Sequence, residues 1–274
     1  MNAAVREVRT RRLRDGAAGD SADAVAVEEP LEVRVNGAPF AVVMRTPGHD
    51  VPLAAGFLLA EDVVRDAAEI AAIEQCDDVD DDARGNVLNV TVVGEAAARL
   101  AQRLGERRQV IATAACGLCG RRTIASLQTR AASVRGAWTV PAEVVLGLPA
   151  ALRATQAAFD ATGGIHASAL CDLHGRVRDM AEDVGRHNAL DKIVGRALLS
   201  GRLPLDDALL VVSGRSSFEL VQKALLAGVP LVAGVSAPSS LAIDLAEATG
   251  ITLCGFVRGA SMNVYTHPHR VAGL

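Results

Sequence analysis

Two cysteines, Cys116 and Cys119, stand two residues apart between glycines in "ATAACGLCGRRTI", with Arg121 and Arg122 directly behind them. Three chemistries use that spacing. Structural zinc takes four ligands, usually with a second pair at similar spacing, and here Cys76, Cys171 and Cys254 are single and scattered. Dithiol redox exchange places its motif after the first strand of a compact βαβ unit, a context this segment lacks. Carriage of sulfur as a persulfide asks for a thiol of depressed pKa in an accessible loop, preferably beside a second thiol that releases or protects the cargo. Gly117 and Gly120 permit tight turns around the sulfurs, the two arginines supply positive charge, and "RRTIASLQTRA" reads as a helix whose N-terminal dipole favours an anion. A glycine-rich turn whose cysteines merely pack is the weaker alternative. The residues favour sulfur carriage, and no metal site is expected.

Other stretches offer groups for a ligand. "VVSGRSSFEL" is a strand, a turn over Ser213, Gly214, Arg215, Ser216 and Ser217, and a helix start. Ser216 and Glu219 fit the spacing of a capping box, and the same turn presents backbone N–H groups to a phosphate. "VSAPSSLA" repeats the layout, with Ser239 and Ser240 at the cap. In "GFVRGASMNVY" a buried strand ends at Val257 and Arg258-Gly259 interrupts it. Gly259 allows close approach of a ligand and Arg258 could reach a phosphate or stack on a flat ring, although a plain hairpin turn explains the stretch equally well. In "EDVGRHNALDK", Asp183, His187 and Asp191 are spaced by four and share one helical face. A carboxylate there sets an imidazole's tautomer, or Asp183 serves simply as a first-turn acid.

These groups need a scaffold, and 274 residues suffice for a sizeable core and two domains. Half the residues are hydrophobic and 22% are charged, a globular composition. A net charge of −4, with one Trp, one Tyr and five Phe, argues against nucleic-acid binding. Five cysteines do not make a secreted disulfide framework, and no apolar run reaches the length of a membrane span. The chain therefore reads as a cytoplasmic protein with free thiols. Its basic N-terminus has no apolar run and reads as a frayed tail over residues 1–24.

From Val25 the pattern turns to β, with Asn36-Gly37 marking a hairpin. An amphipathic helix over 50–64 places Val51, Ala54, Ala55 and Leu58 on one face. Strands at 70–74 and 86–93 and a helix over 95–104 complete a smaller α+β domain over 25–106. The acidic run at 77–82 lacks the glycine and terminal glutamate of a calcium loop and reads as a solvated turn. The domain over 107–274 differs. A hairpin turns at His174-Gly175, and a helix closes at Gly201 as its C′ residue. Strands at 208–212, 231–235 and 251–257 then alternate with helices at 218–227 and 241–248. Continuous apolar strands of this kind belong to a parallel sheet covered on both faces, an α/β layered domain.

Taken together, "CGLCG", "TGGIHASALCD", "EDVGRHNALDKIVG", "SGRSSFELVQKA" and "GFVRGASMNVYTHPHRV" resemble the FdhD family over residues 28–271. The resemblance implies a sulfur carrier for molybdenum- or tungsten-dependent formate dehydrogenases. Sulfur would come from a cysteine desulfurase and pass to the molybdenum cofactor in its bis-guanine-dinucleotide form, before that cofactor enters the catalytic subunit. Cys116 and Cys119 match the sulfur-carrying pair, and Phe256, Val257, Arg258, Gly259, Ala260 and Ser261 match the segment that meets the cofactor. Ser213, Gly214, Arg215, Ser216 and His187 are assigned to the same cofactor site. The family fold is similar to that of cytidine deaminases, with an added smaller domain, and forms homodimers. Deamination itself is disfavoured. Zinc deaminases carry His-x-Glu followed by Pro-Cys-x-x-Cys, whereas "HAS" has Ser168 in place of the glutamate and the only Cys-x-x-Cys precedes His166. A dithiol oxidoreductase and a non-catalytic cofactor chaperone are the remaining alternatives.

Overall fold

The computed structural model describes residues 4–76, 79–100 and 133–274. The chain opens with a hairpin, β1 (Val5–Arg14) and β2 (Ala17–Ala26), paired antiparallel from Val5↔Ala26 to Arg14↔Ala17. This corrects the expectation of a tail without structure over 1–24. The turn is Asp15-Gly16, with φ of 52° and 82°, the two positive values a two-residue hairpin of this hand requires. The signal is present in the sequence but lies between strands that are polar on both faces, so alternation does not reveal it.

β3 (Glu29–Val35) and β4 (Ala38–Arg45) follow, joined at Asn36-Gly37 as expected, with φ of 50° and 79°. With β5 (Ile70–Gln75) and β6 (Val87–Val92) they form a four-stranded sheet of order β4-β3-β6-β5. Leu31, Val33 and Val35 alternate inward beneath helix α1 (Asp50–Ala60). The helix stops four residues short of the expected Val64. Ala54, Ala55 and Leu58 are buried as predicted, but Val51 is 38% exposed. Residues 95–100 are helical (α2), where the sequence predicts a helix.

The second sheet has six strands in the order β13-β12-β11-β10-β8-β9. After a short β7 (Val140–Pro141) and helices α3 (Ala142–Arg153) and α4 (Ala157–Thr162), β8 (His166–Cys171) and β9 (Val177–Asp183) form the predicted hairpin. Helix α5 (Arg186–Leu199) leads to β10 (Leu209–Val212), α6 (Phe218–Leu226), β11 (Leu231–Gly234), α7 (Ser240–Thr249) and β12 (Thr252–Arg258). β10, β11 and β12 run parallel, and β13 (Ser261–Thr266) turns back along β12. A last strand, β14 (Val271–Ala272), pairs with β7. Gly201 closes α5 as expected: its N–H donates to Leu198 O and that of Arg202 to Ala197 O, both at 2.9 Å.

The continuous apolar strands have a simple explanation. Leu209 and Val211 point to one face of the sheet, where Val145, Leu148 and Leu152 of α3 cover them. Leu210 and Val212 point to the other, where α5 and α6 cover them. The α/β layered reading thus holds for this half. The second of these cores does not stop at the sheet. It continues through α5 onto Leu53, Ala54 and Leu58 of α1 and into the four-stranded sheet. Where α1 and α5 cross, a Cβ on Gly56 would overlap the Asp191 carbonyl, and one on Gly195 would overlap that of Pro52. Only glycine fits at either position.

Candidate functional site

The carboxyl ends of parallel strands are where α/β sheets bind ligands, and the predicted site residues gather there. Val212, Gly234 and Arg258 end β10, β11 and β12; β8 runs the opposite way and begins at His166, while β9, antiparallel to β8, ends at Asp183, so both residues reach the same end. The turns that leave these strands bond to one another. Ser213 N–H donates to Ala167 O at 3.0 Å and its Oγ accepts from Ala167 N–H at 2.9 Å. Ser216 N–H donates to Ala237 O, Ser239 N–H to Ser216 O, and Phe256 N–H to Ser236 O, at 3.1–3.2 Å. The N–H groups of Ser213 and Ser216 are therefore already engaged, which narrows the phosphate cradle read from the sequence.

The capping box is corrected as well. The N-cap of α6 is Ser217, not Ser216, and its side chain makes no cap bond. Ser217 Oγ lies 3.2 Å from His187 Nε2, and Glu219 Oε2 lies 2.8 Å from the same nitrogen. Ser216 is fully buried and its Oγ has no hydrogen-bond partner. Ser239, by contrast, caps α7 as expected, accepting from Ala242 N–H at 3.3 Å.

Asp183 is not on the helix. It is the last residue of β9, and α5 starts only at Arg186, so Asp183, His187 and Asp191 do not form one helical stripe. The Asp183 carboxylate is wholly buried and accepts from Thr46 N–H (3.1 Å), Gly185 N–H (2.8 Å) and Asn188 Nδ2 (2.9 Å), with Lys192 Nζ at 2.8 Å. Lys192 also donates to Thr46 O at 2.8 Å, and Thr46 Oγ1 accepts from Val184 N–H at 3.1 Å. The small N-terminal sheet thereby holds the turn that presents Arg186 and His187. A buried charge is tolerable only with its partners complete, and here they are. Asp191 pairs elsewhere, with Lys223 of α6, whose Nζ lies 2.6 and 2.7 Å from the two carboxylate oxygens.

The inner part of the site is electropositive. Arg186 Nε is buried without a hydrogen-bond partner. Burial first, then the charge of Arg186, pushes the His166 pKa below its ordinary value, so that ring is neutral near pH 7. At the rim, Arg215, Arg258, Gly259, Ala260 and Ser261 are exposed. Phe256 holds φ at 52°, and the Arg258 guanidinium sits 5.6 Å from its ring centroid. Gly259, φ 57°, makes the hairpin turn, and Ser261 Oγ donates to Arg258 O at 3.2 Å. Val257 points away: it is fully buried in the α3-side core, so its side chain cannot touch a ligand.

Cys116, Cys119, Arg121 and Arg122 lie outside the described residues. Of the other thiols, Cys171 and Cys254 are buried and pushed up to about 12 by burial, as expected for cysteines within apolar strands, and Cys76 is partly exposed. Among the described residues, no group of three or more His, Cys, Asp or Glu side chains could hold a metal, and no helix is long and apolar enough to cross a membrane. Sequence reasoning missed Arg186, Glu219 as the partner of His187, and Thr46. Nothing local marks the pairings of Glu219 with His187 and Thr46 with Asp183, whose members are 32 and 137 residues apart.

Comparison with known proteins covers nearly the whole chain. The sequence model of the FdhD/NarQ family matches residues 26–272. A protein of Streptomyces avermitilis named "Sulfur carrier protein FdhD" is 49% identical over 95% of this chain and 93% of its own. One of the same name from Sulfolobus acidocaldarius is 40% identical over 97% and 98%. A crystal structure from Desulfotalea psychrophila, described as that of a formate dehydrogenase accessory protein, matches with a TM-score of 0.78 at 23% identity, over 98% of this chain and 99% of that one. At that identity the likeness is one of fold.

Proposed function

The chain belongs to the FdhD/NarQ family, and we propose that it is a sulfur carrier acting in the maturation of formate dehydrogenase. One observation carries the assignment of the cargo site. Two of the five thiols are sealed in the core with pKa values near 12, which keeps them from ionising near neutral pH. Cys76 stands alone, so Cys116 and Cys119 are the only cysteines close enough in sequence to act as a pair.

In this reading the Cys116 thiolate attacks the terminal sulfur of a cysteine desulfurase persulfide. A new S–S bond forms on Cys116 as the donor's S–S bond breaks, and the donor cysteine leaves as its thiolate. Atoms and charge balance without an external oxidant. Cys119 assists release, and Arg121 and Arg122 stabilise the anion. The acceptor is the molybdenum cofactor in its bis-guanine-dinucleotide form, or its tungsten counterpart. The residues at the strand ends suit such a substrate. The unpartnered Arg186 Nε, together with Arg215 and Arg258, offsets phosphate charge, and the Phe256–Arg258 lip offers stacking surface for a purine. The same reading makes the protein a cytoplasmic homodimer that also meets the catalytic subunit of the dehydrogenase, with its six-stranded layer kin to that of the cytidine deaminases.

The direct test is mass spectrometry of the intact protein after incubation with a desulfurase and cysteine. A gain of one sulfur, mapped to the Cys116 peptide and lost in Cys116→Ala, is expected. Full maturation of the dehydrogenase by Cys116→Ala would leave a cofactor chaperone instead. A stable Cys116–Cys119 disulfide with no added sulfur would mark a dithiol oxidoreductase.

A further inference from the structure

Helices α5 and α6 are joined by two polar rungs one turn apart. His187 and Asp191 lie four residues apart on α5, and Glu219 and Lys223 lie four apart on α6. The outer rung is His187 Nε2 with Glu219 Oε2 at 2.8 Å, the inner rung Lys223 Nζ with the Asp191 carboxylate at 2.6 and 2.7 Å. The outer rung opens on the candidate site. The inner rung faces no ligand: Asp191 is 2% exposed, and its backbone carbonyl lies against Gly56 of α1 at the crossing of the two helices.

We propose that Asp191 and Lys223 are positioning residues for the site, whose buried pair fixes the register of α5 on α6 that brings His187 onto Glu219. A slide by one residue along either helix would turn one partner by about 100° and break both rungs together. Setting registry is also the best-attested use of buried ion pairs, because they add little net stability over apolar side chains of the same volume. Burial raises the pKa of Asp191 and Lys223 is the main group opposing that rise, the one whose ammonium lies against the carboxylate. The consequence at the site is a defined ring. A carboxylate only accepts, so the neutral His187 ring carries its proton on Nε2 and presents Nδ1 as an acceptor. No described group bonds Nδ1. The inference rests on the reading of these turns as the ligand site.

The test uses the full chain and the double variant Asp191→Leu/Lys223→Met, which removes both charges together and orphans neither. In nitrogen-15 spectra of the ligand-free protein at fixed pH, wild type should show His187 as the single Nε2–H tautomer and the double variant a mixture. Affinity for guanosine 5′-diphosphate, by calorimetry, should fall roughly tenfold, as for one charge-assisted hydrogen bond. The charge-reversed pair Asp191→Lys/Lys223→Asp should restore the single tautomer. A folded Leu/Met variant that keeps the wild-type tautomer overturns the proposal. So does a folded reversed pair that shows the mixture, which still decides the matter if the first variant does not fold. Failure of wild type to bind guanosine 5′-diphosphate, with the tautomer change intact, overturns the ligand reading and leaves the positioning role standing.

Discussion

The β9–α5 turn and the β12–β13 turn both stand at the carboxyl end of the parallel strands, and they are built in opposite ways. The first is an inner wall. Asp183 is fully buried among four donors, and Thr46 and Asn188 tie the turn to the smaller sheet. The second is an outer lip, with Arg258, Gly259 and Ala260 exposed and Phe256 in a left-handed conformation. The wall supplies charge at fixed positions. The lip supplies a partly exposed ring and an exposed guanidinium set over it. The proposed ligand, with phosphates at one end and a flat base at the other, would call for that division, because preorganised groups suit charge and adaptable ones suit stacking.

The sharpest way to break the contrast is Asp183→Ala. It strands the Lys192 ammonium in the core and orphans the Thr46 and Gly185 N–H groups, so the loss should be about 3–5 kcal/mol. Chemical denaturation measures it, and a loss below about 1 kcal/mol would show that the wall is no more fixed than the lip. A milder test uses the strands that feed the two regions, since β8 begins at the wall's His166 and carries Cys171, while β12 runs into the lip and carries Cys254. Both thiols are raised from 9.0 to about 12 in the folded protein. Above pH 9 the unfolded chain releases protons that the native state retains, so stability falls as pH rises from 9 towards 12. By pH 10 each thiol should account for roughly 1 kcal/mol. Denaturation at pH 8 and pH 10 of wild type, Cys171→Ala and Cys254→Ala should show each variant losing part of that slope. The smallest stability effect is expected from Arg258→Ala, within about 0.5 kcal/mol for an exposed side chain. Its affinity for guanosine 5′-diphosphate should nonetheless drop and become less salt-dependent. A stability loss matching that of Asp183→Ala would mean the lip is structural.

The same contrast separates what the sequence discloses from what it hides. The lip and the strand–helix turns are legible because local chemistry writes them: Gly259 at a positive φ, Ser239 at a cap, apolar runs at β10, β11 and β12. The wall is not, because its contacts join Thr46 to Asp183 and His187 to Glu219 across the fold. Spacing by four placed Asp183 on a helix with His187. The strand claimed it instead, because β9 continues its pairing with β8 to the His166↔Asp183 pair. The N-terminal hairpin escaped notice for a different reason. Its faces are not buried, so hydrophobic alternation had nothing to report, and only Asp15-Gly16 marked the turn.

The crossing at Gly56 and Gly195 has a mechanical consequence. Most helix pairs meet through a cushion of interleaved side chains, which repack when the helices shift. At Gly56 and Gly195 main chain rests on main chain, and no side chain stands between the helices there to yield. Helix α5 is thus keyed to α1 much as a blade is seated in its handle, and any hinge between the two sheets would have to lie beyond that joint.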